Sequence, residues 1–154
     1  MESSRISLRP FKLSDVEDFM SWAGDDRVTR YVRWNTITST DKGLQVFEGG
    51  DYTQDENIGD DRCRAHIGYA LGWEYWGQGI VTVALKMALS IVFKEFPDLV
   101  RVQALVEVEN KGSQRVLEKV GFLKEGLLRK YGFNKGEVRD MFIYGFLSTD
   151  PIPD

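Results

Sequence analysis

The residues Ala65–Ala84 read Ala-His-Ile-Gly-Tyr-Ala-Leu-Gly-Trp-Glu-Tyr-Trp-Gly-Gln-Gly-Ile-Val-Thr-Val-Ala, and this stretch decides the fold. Its first part, Ala65–Leu71, is β-branched and aromatic enough to predict a strand. Three glycines follow closely: Gly72, Gly77 and Gly79. Apolar residues then recur at helical spacing: Ile80, Val83, Ala84, Met87, Ala88 and Ile91. The stretch therefore predicts a strand, a glycine turn and a helix, in that order.

A glycine turn of this kind is a candidate anion site. It directs free backbone N–H groups and the positive end of a helix dipole at one point, where a phosphate is the natural ligand. Gly77 and Gly79 carry no side chain that would hold a phosphate away from these amides. A lone Gly-x-Gly before a helix fits a tight connection without a ligand equally well.

The composition predicts one globular domain spanning residues 1–154. Its 42% hydrophobic and 29% charged residues match an ordinary soluble protein with a sizeable core. The formal net charge of -4 argues against nucleic acid as the main partner, because phosphate backbones bind basic surfaces. The same charge fits a basic substrate such as an amine.

The single cysteine, Cys63, excludes a disulfide framework and a cysteine-based metal site, so no metal is expected. Two flanking arginines leave a nucleophilic role for Cys63 as a minor alternative. No apolar run is long enough to cross a bilayer, and the N-terminus lacks the apolar core of a signal peptide. We therefore expect a cytoplasmic protein that does not bind membranes.

Patterning and end signals predict the other elements. The central helix should end near Pro97, and the acidic segment Gly49–Asp61 should form a mobile loop because it has little apolar surface to bury. The tail Asp150–Asp154 is expected to fray. The remaining elements are a strand at Arg5–Pro10, a helix capped by Ser14 and Glu17 and ended by Gly24, a strand at Val100–Val108, a helix at Ser113–Val120 capped by Asn110 and ended by Gly121, and strands at Phe122–Arg129 and Val138–Phe146.

A dinucleotide-binding domain is disfavoured. The run from Gly77 through Gly79 to Thr82 lacks the third glycine of that fingerprint. The acidic residue at the expected distance, Asp98, comes before the next strand instead of at its end. The chain also ends in paired strands and not in further strand–helix units.

Two motifs resemble the GCN5-related N-acetyltransferases (GNAT superfamily), most closely the RimJ/RimL-like branch. Tyr75–Ile80, Tyr-Trp-Gly-Gln-Gly-Ile, is similar to the acyl-CoA pyrophosphate loop of that family. Asn110–Phe122, which contains Asn-x-x-Ser and Glu-Lys-x-Gly-Phe, is similar to its most specific signature. Ile6–Phe11 resembles the opening strand and Glu125–Arg129 the closing hairpin. The resemblance covers most of the chain.

The resemblance implies an α/β fold, with a GNAT-like mixed, mostly antiparallel sheet and helices on both faces. It implies direct transfer of acetyl from acetyl-CoA to an amine, either a peptide or protein N-terminus or a small amine. The alternative is a catalytically weak CoA-binding or interaction protein of the same fold. A monomer and a homodimer both remain open.

The resemblance also implies a cofactor site. The pyrophosphate would lie on the amides of the glycine loop, and the pantetheine between the splayed strands Ala65–Leu71 and Val100–Val108. A bulge in the first strand would free an amide near Tyr69–Leu71 for the thioester carbonyl. The cofactor-binding residues would be Tyr69, Ala70, Leu71, Trp76, Gly77, Gln78, Gly79, Ile80, Asn110 and Ser113.

The implied catalytic residues are Ser113, His66 and Glu107. The resemblance puts the Ser113 hydroxyl near the sulfur as the acid, with Tyr131 as an alternative. His66 is a candidate to take the proton of the amine, because histidine is the residue type suited to proton transfer near neutral pH. Glu107, Glu109 or a chain of waters would compete for that role.

Three departures from the family pattern stand out. Glu74 replaces the usual Gln or Arg, and His66 stands where the branch often has an acid. The family has two paired strands before the central strand, and Gly49–Asp61 is too short and too polar to supply both. Either the fold is shortened before the central strand, or the sequence joins segments across absent residues. A truly absent pair would leave an unpaired edge that invites dimerisation.

Overall fold

The computed structural model describes residues 5–32, 36–42 and 62–154. Short 3-10 helices lie at Leu13–Asp15 and Trp73–Tyr75. The helices and strands of these residues are α1 Val16–Ala23, α2 Asp26–Thr29, β1 Arg64–His66, α3 Ile80–Glu95, β2 Arg101–Glu107, α4 Lys111–Val120, β3 Leu123–Asn134 and β4 Glu137–Leu147. The predicted acidic loop Gly49–Asp61, and with it the predicted shortening of the fold, lies outside the described residues.

The sheet has the order β1-β2-β4-β3 among the described strands. β1 pairs with β2 in parallel, Arg64 opposite Arg101, whereas β4 is antiparallel to both β2 and β3. The mixed, mostly antiparallel sheet that the sequence predicts is confirmed. A parallel pair needs a crossover connection, and α3 provides it between β1 and β2.

The core lies between one face of this sheet and the two longer helices. Alternate residues of β2 face the helices, so the strand's even-numbered positions are buried while Arg101 and its odd-numbered neighbours point to the other face. The buried cluster combines helix and strand residues: Leu85, Leu89, Leu99, Val102, Ala104, Val106, Leu117, Val120, Phe122, Tyr144 and Phe146. The position of both helices is therefore set by apolar burial on one face.

The ends of α3 and α4 follow the sequence signals. α3 ends at Glu95, two residues before Pro97, as predicted. The Asn110 side chain caps α4 by accepting a hydrogen bond from the Ser113 N–H at 3.2 Å, and Gly121 ends this helix with a left-handed φ of 105°. These predictions are confirmed.

The N-terminal part forms a separate small cluster. Phe19, Ala23 and Ile37 are buried together, and the Ile37 N–H donates to the Ala23 carbonyl at 2.9 Å. On the other face of the sheet from α3 and α4, the segment after α2 reaches the buried Glu107 region, where Asn134 Nδ2 donates to the Arg30 carbonyl at 3.4 Å. α1 and α2 are thereby tied to the sheet opposite the main core.

The closing hairpin is longer than predicted. Its strands pair up to Asn134 and Glu137, and Lys135 and Gly136 form a two-residue turn with φ values of 50° and 80°. β3 continues through a bulge in which Lys130 has a φ of 48° and its N–H bonds the Asp140 carboxylate at 2.7 Å. The bulge absorbs the extra residues, so pairing continues beyond the predicted end at Arg129.

Two predictions at the N-terminus are wrong. The helix is not capped by Ser14 and Glu17. A 3-10 turn at Leu13–Asp15 precedes α1, and the Asp15 carboxylate accepts from the Lys12 N–H at 2.9 Å at the start of that turn. No strand forms at Arg5–Pro10, since this segment has no ladder partner within the described sheet. Alternation alone cannot make a strand without a neighbour to bond.

The residues 150–154 are not frayed, contrary to expectation. Lys86 Nζ on α3 donates to the carbonyls of Pro153 and Asp154 at 2.7 and 3.0 Å. Ile152 packs against the main core, and Pro153 lies against Gly121. Apolar contact and two charge-assisted hydrogen bonds hold this segment on the helices.

No helix of the described residues has the length and the apolar character needed to cross a membrane. Within the same residues, His, Cys, Asp and Glu side chains form no group of three or more that would hold a metal ion.

Replacing Leu89 with alanine tests the core. This side chain is fully buried on α3, so its loss should lower the free energy of unfolding by about 2 to 5 kcal/mol. Ile91 on the same helix is 43% exposed, and Ile91→Ala should change that free energy by no more than about 0.5 kcal/mol. Urea unfolding of both variants measures the difference. Equal effects of the two substitutions would contradict the assigned core.

Candidate active site

The candidate site begins where β1 and β2 separate. The Ile67 N–H donates to the Gln103 carbonyl at 2.9 Å, and this is the last backbone hydrogen bond between the β1 and β2 segments within the described residues. β2 stays paired with β4 as far as Glu107, whereas residues 68–72 leave the ladder. The result is the splay that the family resemblance implies, produced by the end of pairing and not by a bulge in β1.

The backbone of Tyr69, Ala70 and Leu71 lines this splay. Their N–H groups meet no backbone or side-chain acceptor in the part of the chain that the structure describes. The Leu71 carbonyl is fixed, because Trp76 Nε1 donates to it at 2.8 Å. A row of amides held in this way is suited to bind a carbonyl oxygen on which negative charge develops.

The glycine loop has the geometry of an anion site. Gly77 and Gly79 adopt left-handed φ values of 74° and 77°, and a Cβ built on either one would meet no atom within 4 Å. Gly79 is the N-cap of α3, which has no side-chain cap and no acidic residue in its first turn. The first N–H groups of a sixteen-residue helix therefore point into open space with the positive end of its dipole.

The loop before these glycines is anchored to α2. The Arg27 guanidinium stacks on the Trp73 ring at 3.9 Å and also pairs with Asp25. Gln78 Nε2 turns back to the Glu74 carbonyl at 3.1 Å, so the Gln78 side chain closes the loop while its backbone stays at the anion site.

The start of α4 forms the opposite wall. Asn110 fixes the first turn as its cap, and Gln114 Nε2 donates to the Val108 carbonyl at 2.8 Å. The buried Gln114 amide thus joins the helix to the end of β2. Ser113 lies between these two anchors, in the first turn of the helix.

Tyr69 reaches across the splay to this wall. Its hydroxyl is hydrogen-bonded to Ser113 Oγ and lies 3.3 Å from the Ser113 carbonyl oxygen. Burial raises the pKa of Tyr69 above its usual value of about 10. The structure thereby brings together two residues that were both expected at the cofactor site, one of which, Ser113, was also expected to be catalytic.

His66 lies in a polar row that crosses the other face of the sheet. Gln103 Oε1 accepts from Arg101 Nε at 2.9 Å, so Gln103 Nε2 donates to His66 Nε2 at 3.0 Å and the imidazole is the acceptor. Arg101 then pairs with Glu125, and the hydrogen bond from Arg101 lowers the pKa of that carboxyl. The His66 imidazole is exposed at this end of the row.

Glu107 is held in place by partners that the sequence does not reveal. It is 5% exposed, and Asn134 Nδ2 donates to its Oε1 at 2.5 Å. Arg139 Nε lies 3.9 Å from its other carboxylate oxygen. Asn134 is 27 residues away in the chain, and no spacing or motif signals this contact.

The other predicted residues lie on different parts of the structure. The Tyr131 side chain is half exposed on β3, and the Glu109 carboxylate lies 3.9 Å from Arg139. Cys63 is an exposed free cysteine just before β1. The Tyr31 hydroxyl donates to the Glu109 carbonyl at 3.4 Å, so the segment after α2 also meets the end of β2.

A family model described as an acetyltransferase (GNAT) domain matches residues 50–123. Among curated proteins, the uncharacterised N-acetyltransferase p20 of Bacillus licheniformis is 28% identical over 171 aligned positions, which cover 96% of each chain. This aligned length exceeds the 154 residues of the present chain, so the relative has residues without a counterpart here.

Solved structures share the fold. An acetyltransferase of the GNAT family from Bacillus anthracis superposes with a TM-score of 0.79 at 24% identity and covers 92% of this chain and 94% of its own. RimL, a ribosomal L7/L12 alpha-N-protein acetyltransferase solved with coenzyme A, gives a TM-score of 0.79 at 19% identity over 91% and 92% of the two chains. These matches confirm the predicted fold class.

Proposed function

Because the chain belongs to the GNAT superfamily of N-acetyltransferases, with RimJ- and RimL-like relatives, we propose that it transfers acetyl from acetyl-CoA directly to the amine of a peptide or protein N-terminus. The observation that carries this proposal is the splay between β1 and β2. It is lined by the amides of Tyr69–Leu71 and opens beside the bare N-terminus of α3.

Acetyl-CoA is the acetyl donor. Its pyrophosphate lies on the N–H groups from Gly77 to Ile80, where the left-handed glycines leave room for an anion. Its pantetheine lies in the splay, where Asn110 and Ser113 face it from α4. Support for this donor comes from the RimL structure, which was solved with coenzyme A.

Transfer takes place in one step without a covalent enzyme intermediate. The amine attacks the thioester carbon, and the amides of Tyr69–Leu71 stabilise the negative charge that develops on the carbonyl oxygen. The Ser113 hydroxyl stabilises the departing thiolate. The site residues hold the two reactants in position, and proximity supplies much of the rate.

The amine must lose a proton, and His66 is the better placed of the two predicted bases. Its imidazole is exposed, and among the described residues its Nε2 accepts one hydrogen bond, from the neutral Gln103 amide, which the amine or a bridging water would displace to reach that nitrogen. Glu107 is buried and already engaged by Asn134, so an incoming amine reaches it less readily. We therefore assign the proton transfer to His66 and a structural role to Glu107.

Two observations bear on the acceptor class, and they favour different amines. A relative of the same fold, RimL, is described as acting on a protein α-amine, which favours an N-terminal acceptor. The net charge of -4 also favours a small cationic amine, which is the second candidate.

The glycine loop is tested with Gly79→Val. A side chain at this left-handed N-cap would enter the open space of the anion site, so acetyl-CoA should bind about tenfold more weakly or worse. The measurement is the rise in melting temperature with acetyl-CoA concentration, because a ligand of the native state stabilises it by mass action.

Gly136→Val is the matched control for this test. Gly136 also has a positive φ, 80°, and open space around it, but it lies in the turn between β3 and β4. Both variants should carry a similar backbone strain, and only Gly79→Val should lose the response to acetyl-CoA. An unchanged acetyl-CoA affinity in Gly79→Val would refute the loop assignment.

The acceptor is tested with three substrates, with release of free thiol as the readout. They are a short peptide with a free α-amine and one lysine, the same peptide with its N-terminus blocked, and spermidine. We expect kcat/KM for the free peptide to exceed that for the blocked peptide about tenfold or more. A preference for spermidine would favour the small-amine candidate, and equal kcat/KM for the free and blocked peptides would exclude a preference for the N-terminal amine.

The base is tested with His66→Ala. This change should lower kcat at neutral pH about 100-fold while the KM for acetyl-CoA stays near the parent value. The loss should shrink as pH rises, because the amine is then already neutral. Gln103→Ala removes the partner of His66 but not the imidazole, and it should keep most of kcat. Parental turnover by His66→Ala across neutral pH would show that this residue is structural.

A further inference from the structure

The Tyr69 side chain makes a contact that is separate from the role proposed for its backbone amide. Its ring follows Ala65 and Ile67 on the helix side of the chain and packs against the main core. Its hydroxyl reaches the first turn of α4, 44 residues further along the chain, and bonds Ser113 there. The contact spans the splay at the level where β1 and β2 no longer pair.

We propose that the Tyr69 hydroxyl orients the Ser113 hydroxyl toward the thioester sulfur, which makes Tyr69 a positioning residue for departure of the CoA thiolate. The inference rests on the proposed role of Ser113 beside that sulfur. It does not depend on which amine accepts the acetyl group, since the leaving group is the same for every acceptor.

The direction of the hydrogen bond follows from the available partners. If Ser113 donated to Tyr69, the one acceptor left for the Tyr69 proton among the described residues would be the Ser113 carbonyl oxygen at 3.3 Å, beyond the usual range for a hydroxyl donor. Buried donors are rarely left without a good acceptor. Tyr69 therefore donates to Ser113 Oγ, and the serine proton is free to point into the splay.

The backbone of Ser113 is fixed independently of Tyr69. Its N–H is bound by the Asn110 cap at 3.2 Å, so the remaining freedom is rotation of the serine side chain and its hydroxyl. The Tyr69 bond removes this freedom. A preoriented donor stabilises developing charge without reorganising during the reaction.

The chemical step assigns no proton transfer to Tyr69. The C–N bond forms, the C–S bond breaks, and the electron pair of the C–S bond leaves on sulfur while Ser113 donates a hydrogen bond to it. Burial raises the pKa of Tyr69, so this phenol is a weaker acid than a thiol, whose pKa is about 8.5. The thiolate is protonated by solvent after it departs, and the amine gives its proton to the base.

Tyr69→Phe keeps the ring and removes only the hydroxyl. We expect kcat to fall about five- to tenfold, the loss typical of one hydrogen bond, with the KM for acetyl-CoA within about twofold of the parent value. In a Ser113→Ala background the same change should have almost no further effect on kcat, because the two residues act as one unit. The acceptor used is whichever amine the chain acetylates.

Tyr144→Phe is the matched control. The Tyr144 hydroxyl is also buried and also bonds α4, through Glu118 Oε1 at 3.1 Å, but Glu118 lies at the far end of that helix. Removing it should lower the melting temperature and leave kcat near the parent value. The comparison separates the loss of any tyrosine bond to α4 from the loss of the bond to Ser113.

Three results would overturn the inference. They are a parental kcat in Tyr69→Phe, an equal loss of kcat from this change with and without Ser113, and an equal loss of kcat in Tyr144→Phe. A parental kcat in Ser113→Ala would instead refute the role of the serine, and with it the inference. If the peptide is not acetylated but another amine is, only the proposed acceptor class is wrong.

Discussion

The candidate site depends on one backbone constraint, the end of pairing between β1 and β2 after the bond from Ile67 to Gln103. β2 remains fixed by β4, whereas the chain after Ile67 loses its ladder partner and diverges. A backbone N–H that leaves a ladder must find another acceptor or face solvent or a ligand. The same divergence therefore creates the gap and supplies the donors that line it, without any dedicated side chain.

The rigidity of this gap comes from the core beneath it. α3 and α4 are held on one face of the sheet by residues such as Leu89, Leu117 and Tyr144, and the free N-terminus of α3 and the capped N-terminus of α4 contribute to the site. On the other face, the row from His66 to Glu125 crosses the strands above Gly145, where a Cβ would lie 2.6 Å from Arg101 Nη1. The dipoles of the site are thus oriented before any ligand binds.

Local signals predicted the elements, and long-range contacts escaped prediction. The Asn110 cap, the end of α3 and the left-handed Gly121 follow from residues within a few positions of one another. The bond from the Lys12 N–H to the Asp15 carboxylate was missed because the spacing of Ser14 and Glu17 also fits a capping box. The contacts of Tyr69 with Ser113 and of Glu107 with Asn134 depend on strand order, which no local pattern contains. The sequence could thus name site residues but not their partners.

The bond between Asn134 and the Arg30 carbonyl has a consequence for synthesis on the ribosome. The two residues are 104 positions apart, so the N-terminal helices emerge well before the hairpin that the segment after α2 contacts. At roughly 5 to 20 residues per second, this delay is about 5 to 20 seconds. Phe19 and Trp22 must therefore stay soluble on a nascent chain that has not yet formed its sheet, and this interval is where a chaperone has most to protect.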